Sequence, residues 1–220
     1  MKKFISLLLT LVLAFSCFAV LTACKGDEDE PADDSAKICD TVKTSSPTKI
    51  VTVVTYTDAK GEDLGGKYTT MIQGEDSIFE YEYRRYRTPE EGVADGSTEP
   101  IKTLTGKIYY KDHTYSAEGD QWDASTAVSA DIKLDLQLEY LTSPTVSEDG
   151  TTLTATLTSE NATKVLGTDL AAQGEISITV VTNGTNLTGI VLSCTTKTGA
   201  EVIVRTSYSY NPIELEFPKA

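Results

Sequence analysis

The chain has 220 residues, 19 of them basic and 33 acidic, for a net charge of −14 with its single histidine neutral. An acidic balance of that size excludes nucleic acid as a partner and opposes direct adsorption to an anionic bilayer. The length suits one domain with a full core rather than several.

In chain order, Lys2 and Lys3 precede an uncharged apolar run from Phe4 to Leu21, followed by Thr22, small Ala23 and Cys24. A positive start, an apolar middle and a small residue at the end form an export signal. Leu21-Thr22-Ala23-Cys24 resembles the lipobox of bacterial lipoproteins. That resemblance implies cleavage before Cys24, a diacylglyceryl thioether carrying acyl chains such as palmitate on its sulfur, and residence on the outer, extracytoplasmic face of a bacterial cell membrane. Two acyl chains, each contributing about 0.8 kcal/mol per buried CH₂, give a lasting anchor where one does not. The competing reading, an uncleaved transmembrane helix of about 20 residues, leaves the residues before Cys24 unexplained. Removing residues 1–23 takes away two lysines, so 17 basic residues face 33 acidic ones, a charge of −16.

Residues 24–36 follow as a tether: Asp27, Glu28, Asp29, Glu30, Asp33 and Asp34 accompany Gly26 and Pro31, with no large apolar side chain. Self-repulsion extends such a segment. Its acids lack the ligand spacing of a calcium loop. A single domain is expected over residues 37–220. It opens with a short helix from Ser35 to Lys43 that places Ile38, Cys39 and Val42 on one face.

Short segments rich in Val, Ile, Thr and Tyr then alternate with Gly, Asp, Asn and Pro, the pattern of strands and turns. Strands are expected at 50–57, 67–73, 77–87, 102–110 and 114–117, with a polar loop from Thr88 to Pro100 as a candidate rim or lid. Ile132, Leu134, Leu136, Leu138 and Tyr140 alternate with polar residues, the period of a half-buried strand. Asp149-Gly150 and Asn183-Gly184 suit two-residue hairpin turns. Between them Ser159 can cap a short helix that runs to Leu166 and ends at Gly167. The last strands are expected at 175–182, 186–196 and 201–210. The fold class is mainly β: a single curved antiparallel sheet, or half-barrel, with two short helices on its concave side.

This order of elements, a helix from Ser35, consecutive hairpins and the Ser159–Gly167 helix before the last three strands, all behind a lipobox, resembles the half-barrel lipoproteins: the LolA and LolB carriers and the LppX-type lipid-binding lipoproteins. The resemblance implies an apolar cleft between sheet and helices that holds a lipid or another apolar molecule, without chemistry.

One strand supplies its own signal. Phe79, Tyr81 and Tyr83 share a face that continues into Arg85 and Arg87, while Glu80, Glu82 and Arg84 point the other way. An aromatic stripe ending in cations suits an apolar tail with an anionic head group. The same stripe also reads as core whose arginines emerge at the sheet edge. Cys39 and Cys194 remain once Cys17 and Cys24 are set aside. They are either a disulfide, closing a long loop for up to ~5 kcal/mol, or two separately buried thiols. Set far apart with one histidine, they give no metal site.

No catalytic reading gains support. His113 falls in a tight turn, Glu90-Glu91 are adjacent loop carboxylates without spacing across a cleft, and no nucleophile elbow, zinc motif or phosphate loop is present. The expectation is a non-enzymatic, cofactor-free surface lipoprotein that binds a lipid or apolar ligand. The alternative is a protein–protein interaction module with a filled core.

Overall fold

Alternating β-branched and aromatic residues are realised as eleven antiparallel strands in one sheet. The computed structural model describes residues 31–95, 99–112, 114–117, 123–124, 134–166 and 169–218. The export signal, Cys24, the acids up to Glu30, His113 and Gly167 lie outside these, and so does Ile132. The described elements are α1 (Pro31–Thr44), β1 (Lys49–Thr57), β2 (Gly66–Gln73), β3 (Asp76–Tyr86), α2 (Pro89–Asp95), β4 (Ile101–Lys111), β5 (Thr114–Ala117), β6 (Asp123–Ala124), a 3₁₀ turn (Leu138–Tyr140), β7 (Leu141–Val146), β8 (Thr152–Leu157), α3 (Ser159–Leu166), β9 (Ile176–Thr182), β10 (Leu187–Thr195) and β11 (Glu201–Ser209).

Across the sheet the strands run β6-β5-β4-β3-β2-β1-β11-β10-β9-β8-β7. Two meanders are therefore joined along one seam, where β1 pairs with β11 from Lys49↔Ser209 to Thr57↔Glu201. The fold is mainly β, and among the described residues the sheet is open, with β6 and β7 at its two ends. Both edges are blunt. β6 has two residues, while β7 carries Pro144, a left-handed Ser143 (φ 51) and a register shift between Thr142 and Thr145. Such features block pairing with a further strand. Both hairpins turn at the expected glycines, Gly150 (φ 67) and Gly184 (φ 83), but Asp149 and Asn183 are not left-handed and the connections span residues 147–151 and 183–186, longer than the expected two-residue turns.

Three expectations are corrected. First, α1 starts at Pro31, so residues 31–36 are helical rather than tether. Ser35, Ile38, Cys39 and Val42 are all buried, an i, i+3, i+4, i+7 stripe, and proline is tolerated in a first turn. Second, Leu134 to Tyr140 is not a strand. Leu134 and Leu136 are buried and Asp135 is exposed, but the segment is in no ladder and tightens into the 3₁₀ turn. Its alternation reflects burial against the core without strand pairing.

Third, the loop after β3 contains α2, which makes three α-helices among the described residues rather than two. Thr88 and Glu91 form a reciprocal capping box around Pro89. The Thr88 N–H donates to Glu91 Oε2 at 3.0 Å, and the Glu91 N–H donates to Thr88 Oγ1 at 3.4 Å. Threonine, proline and a glutamate three residues on are a helix start signal, outweighed in the sequence reading by nearby glycine and proline. At α3 the cap is Thr158, whose Oγ1 accepts from the Asn161 N–H at 3.2 Å, rather than Ser159.

The core lies under one half of one sheet face. α1 packs on β7, β8, β9 and the 3₁₀ turn, and α3 packs on β8. Between helices and sheet, Leu136, Leu153, Leu157, Ala162, Ile176 and Val180 are completely inaccessible. A bulge between Leu187 and Gly189 lets Leu187 and Ile190 face the same core despite their odd spacing.

Candidate functional site

A row of directly opposed residues crosses the sheet on one face: Leu153, Val180, Ile190, Thr206, Thr52, Tyr68, Tyr81 and Gly106. The next row runs Ile178, Leu192, Val204, Val54, Gly66, Tyr83 and Leu104. Side chains opposite one another in an antiparallel pair lie on the same face. The aromatic stripe of β3 therefore belongs to the helix-covered face, but on the other side of the seam. The expected cleft beneath α1 or α3, walled by Phe79, Tyr81 and Tyr83, is not formed. Four strands, β2, β1, β11 and β10, separate β3 from the helix-covered β9, and at about 4.8 Å per step the two are roughly 24 Å apart.

On β2 and β3 the rings form a continuous row. Tyr68 stacks on Phe79 at 6.2 Å between centroids and 13° between planes, Phe79 meets Tyr81 at 6.0 Å, and Tyr81 meets Tyr83 at 5.9 Å. All four are half-buried. Tyr81 extends across to β4 and lies over Gly106, where an added Cβ would sit 2.6 Å from its Cζ. Glycine opposite the ring makes room for it. Leu104 and Ile108 continue the apolar surface on β4. Partial burial pushes the Tyr68 phenol pKa above its ordinary value.

The cationic end of the stripe is built differently from its sequence reading. The Arg85 guanidinium is held bidentately by Glu91, with Nη1 to Oε2 at 2.7 Å and Nη2 to Oε1 at 2.6 Å, and Nη1 also donates to the Tyr86 carbonyl. Lys102, opposite Arg85 on β4, reaches Glu91 Oε1 at 3.4 Å. The Arg85 hydrogen bonds, the Thr88 N–H and Lys102 together hold the Glu91 carboxyl well below the usual carboxylate range. Arg85 is thus committed, and the pair Arg85 and Lys102 carries one positive charge beyond Glu91. Arg87 closes the strand end through its backbone, its N–H donating to the Pro100 carbonyl at 2.9 Å. Lys102 was legible as the cross-strand partner of Arg85 only once the β3–β4 register was known.

The opposite face of β2–β4 is charged. A shallow groove of about 470 Å³ is lined by Lys67, Thr69, Glu80, Glu82, Lys107 and Tyr109, and Lys107 pairs with Glu80 at 2.5 Å. Phe217 packs against Tyr109 at this end, while Gln73 accepts from the Leu215 N–H, so the C-terminal segment covers part of that face.

Cys39 and Cys194 are both free thiols. Cys39 is a core residue and Cys194 packs against the same core. Burial raises both thiol pKa values, which keeps them protonated and unreactive.

No family model and no curated protein matches the sequence. Among solved structures, the chain is similar to the hypothetical protein CT021 from Chlamydia trachomatis, at 12% identity and a TM-score of 0.32, over 83% of this chain and 98% of that one.

Proposed function

We propose that this protein is a non-catalytic binding lipoprotein, anchored through Cys24 to the outer face of a bacterial membrane, whose ligand lies on the half-buried tyrosine face of β2–β4. The observation that carries the binding reading is the unbroken ring row Tyr68, Phe79, Tyr81 and Tyr83, on a sheet face that helices cover elsewhere. Apolar and aromatic area left half-accessible in a continuous patch is the usual mark of a contact surface. The element order it has in common with the half-barrel lipoproteins supports a binding role of the same broad kind.

An apolar or amphipathic ligand laid on these rings displaces water from them. No bond is made or broken. Glu91 serves by fixing Arg85 and the start of α2 at the end of the row.

The alternative, a protein–protein interaction module, is favoured by a different observation. The space between helices and sheet is filled by fully inaccessible Leu and Ile side chains, and an open face encloses a small ligand poorly compared with a pocket.

Two measurements test the reading. Cys24→Ala should move the protein from the membrane fraction to the soluble one, whereas retention through an alkaline wash would replace the lipid anchor with a spanning helix. Small molecules extracted from the purified full chain, identified by mass spectrometry, should include an apolar or amphipathic species that Tyr81→Ala loses. A chain that carries none and instead cross-links to a protein through this face would put the interaction module in its place.

A further inference from the structure

We infer that residues 212–218 form a strap that opens and closes over the hairpin end of β2–β4 while the sheet beneath it stays folded. The strap lies on the face opposite the tyrosine row and owes nothing to a ligand there. Ile213, Leu215 and Phe217 are half-buried and alternate with exposed Glu214 and Glu216, the burial period of an extended segment laid on a surface. The segment is nevertheless in no ladder.

Its two ends are held unequally. At the start, the Tyr210 hydroxyl donates to the Leu187 carbonyl and the Thr48 hydroxyl donates to the Asn211 carbonyl, both at 2.7 Å, so the chain is fixed to the sheet as far as Asn211. Pro212 then removes a backbone donor and keeps β11 from resuming. Beyond it, among the described residues, the backbone of 212–218 makes one hydrogen bond, from the Leu215 N–H to Gln73 Oε1 at 3.1 Å. The far end rests on side chains. Phe217 meets the Tyr109 ring at 6.3 Å and 59°, with the Lys111 ammonium 5.3 Å over its own ring. A segment held by half-buried side chains and few backbone bonds sits at the low end of local stability, whereas the strands beneath it open only with the sheet.

Opening changes the charged face. Leu215 lies at the end of β2 and Phe217 on β4, so the strap passes over β3 between them, where Ile78 stands opposite Tyr109 on the same face and is only 5% exposed. Tyr109 also lines the charged groove with Lys67, Glu80 and Lys107. Closed, the strap bounds that groove at its Tyr109 end. Open, it frees the sides of Tyr109 and Ile78 on which it rests and lengthens the groove with apolar surface.

The test is digestion of the purified full chain with a glutamyl endopeptidase. Loss of the segment after Glu214 or Glu216 is followed by mass spectrometry, and each rate is scaled to that of a free peptide spanning residues 209–220. The site must detach before it is cut, so the rate reports the open population while reclosing outpaces cleavage. In the wild type the cut should be roughly tenfold or more slower than in the peptide, and nearly independent of urea below the global transition because opening the strap exposes little surface. Phe217→Ala should speed it roughly tenfold, the scale of one lost half-buried ring, without moving the urea midpoint. Leu157→Ala, in the covered core, should lower that midpoint and leave the cut unchanged. A cut that accelerates with urea in step with global unfolding, or that Leu157→Ala speeds as much as Phe217→Ala, would overturn the independent strap. A wild-type cut as fast as the free peptide's would overturn its closure.

Discussion

The two halves of one sheet face share strand geometry and alternation but differ in what lies over them. On β8–β10, under α1 and α3, the inward residues are Leu, Ile and Val, with accessibilities at or near zero. On β2–β4 they include Tyr68, Thr70, Phe79, Tyr81 and Tyr83 beside Leu104 and Ile108, and most keep partial contact with water. Aliphatic side chains fill a closed space at crystal-like density. Rings with polar edges tolerate a boundary that is wet for part of the time. The change in side-chain type along a single row, from Leu153 to Tyr81, marks where the core ends and a contact surface begins.

The sharpest way to break that comparison is truncation on either side of the seam. Leu157→Ala, at a completely buried position, should cost about 2–5 kcal/mol in urea unfolding. Tyr83→Ala, on the open half, should cost roughly 1–2 kcal/mol because water fills the space its ring leaves. Equal costs would mean that the tyrosine half is core after all.

Glycine substitutions sharpen it next. A Cβ on Gly65 would collide with the Val54 carbonyl, which is backbone and cannot swing aside, so Gly65→Ala should lose about 1–3 kcal/mol. For Gly106→Ala the nearest atoms to the added Cβ all belong to the Tyr81 side chain, which can move. It should stay within ~1 kcal/mol in stability while shifting the Tyr81 ring resonances, since the ring must lift off β4. A larger stability loss from Gly106→Ala than from Gly65→Ala would contradict a ring resting on an open face.

Cys39→Ala probes the covered half with a smaller change. A free thiol contributes only its own packing, about 1 kcal/mol, whereas loss of a disulfide costs about 2–5 kcal/mol. Quantitative alkylation of Cys39 and Cys194 after unfolding without reductant should accompany the smaller figure.

The smallest effect concerns Glu91. Its carboxyl pKa is depressed in the fold, so its contribution is fully present above the ordinary value of about 4.3 and is lost as pH falls below it toward the folded pKa. Glu91→Gln should therefore lower the melting temperature at pH 7, and the gap to wild type should begin to narrow as pH drops below about 4. A gap that does not narrow at all between about pH 5 and pH 3 would assign the loss to the cap rather than the ion pair.

Much of this was legible beforehand because strands announce themselves locally. β1 to β5 and β9 to β11 fall within a residue or so of their alternation patterns, and the chain turns at Gly150 and Gly184, though through longer loops than the dipeptides suggested. What failed was information held between elements. Leu134 to Leu136 alternates in burial without a strand partner, because alternation reports two environments and not a ladder. The stripe Phe79, Tyr81 and Tyr83 was recognised as one face, but its distance from α1 depends on strand order, which places β11 beside β1. Arg85 looked available because Glu91 lies six residues on, across a turn whose capping box was not recognised. Register alone brings Lys102 to the same carboxylate.

The β1–β11 seam has a consequence for how the chain comes to be folded. Its partners lie about as far apart in sequence as the domain allows, Lys49 against Ser209, and contacts of such long range form late and slowly. Neither meander gains its neighbour until the final strand has been synthesised. Each meander can form its own hairpins earlier, so the register between the two halves is the last feature of the sheet to be set.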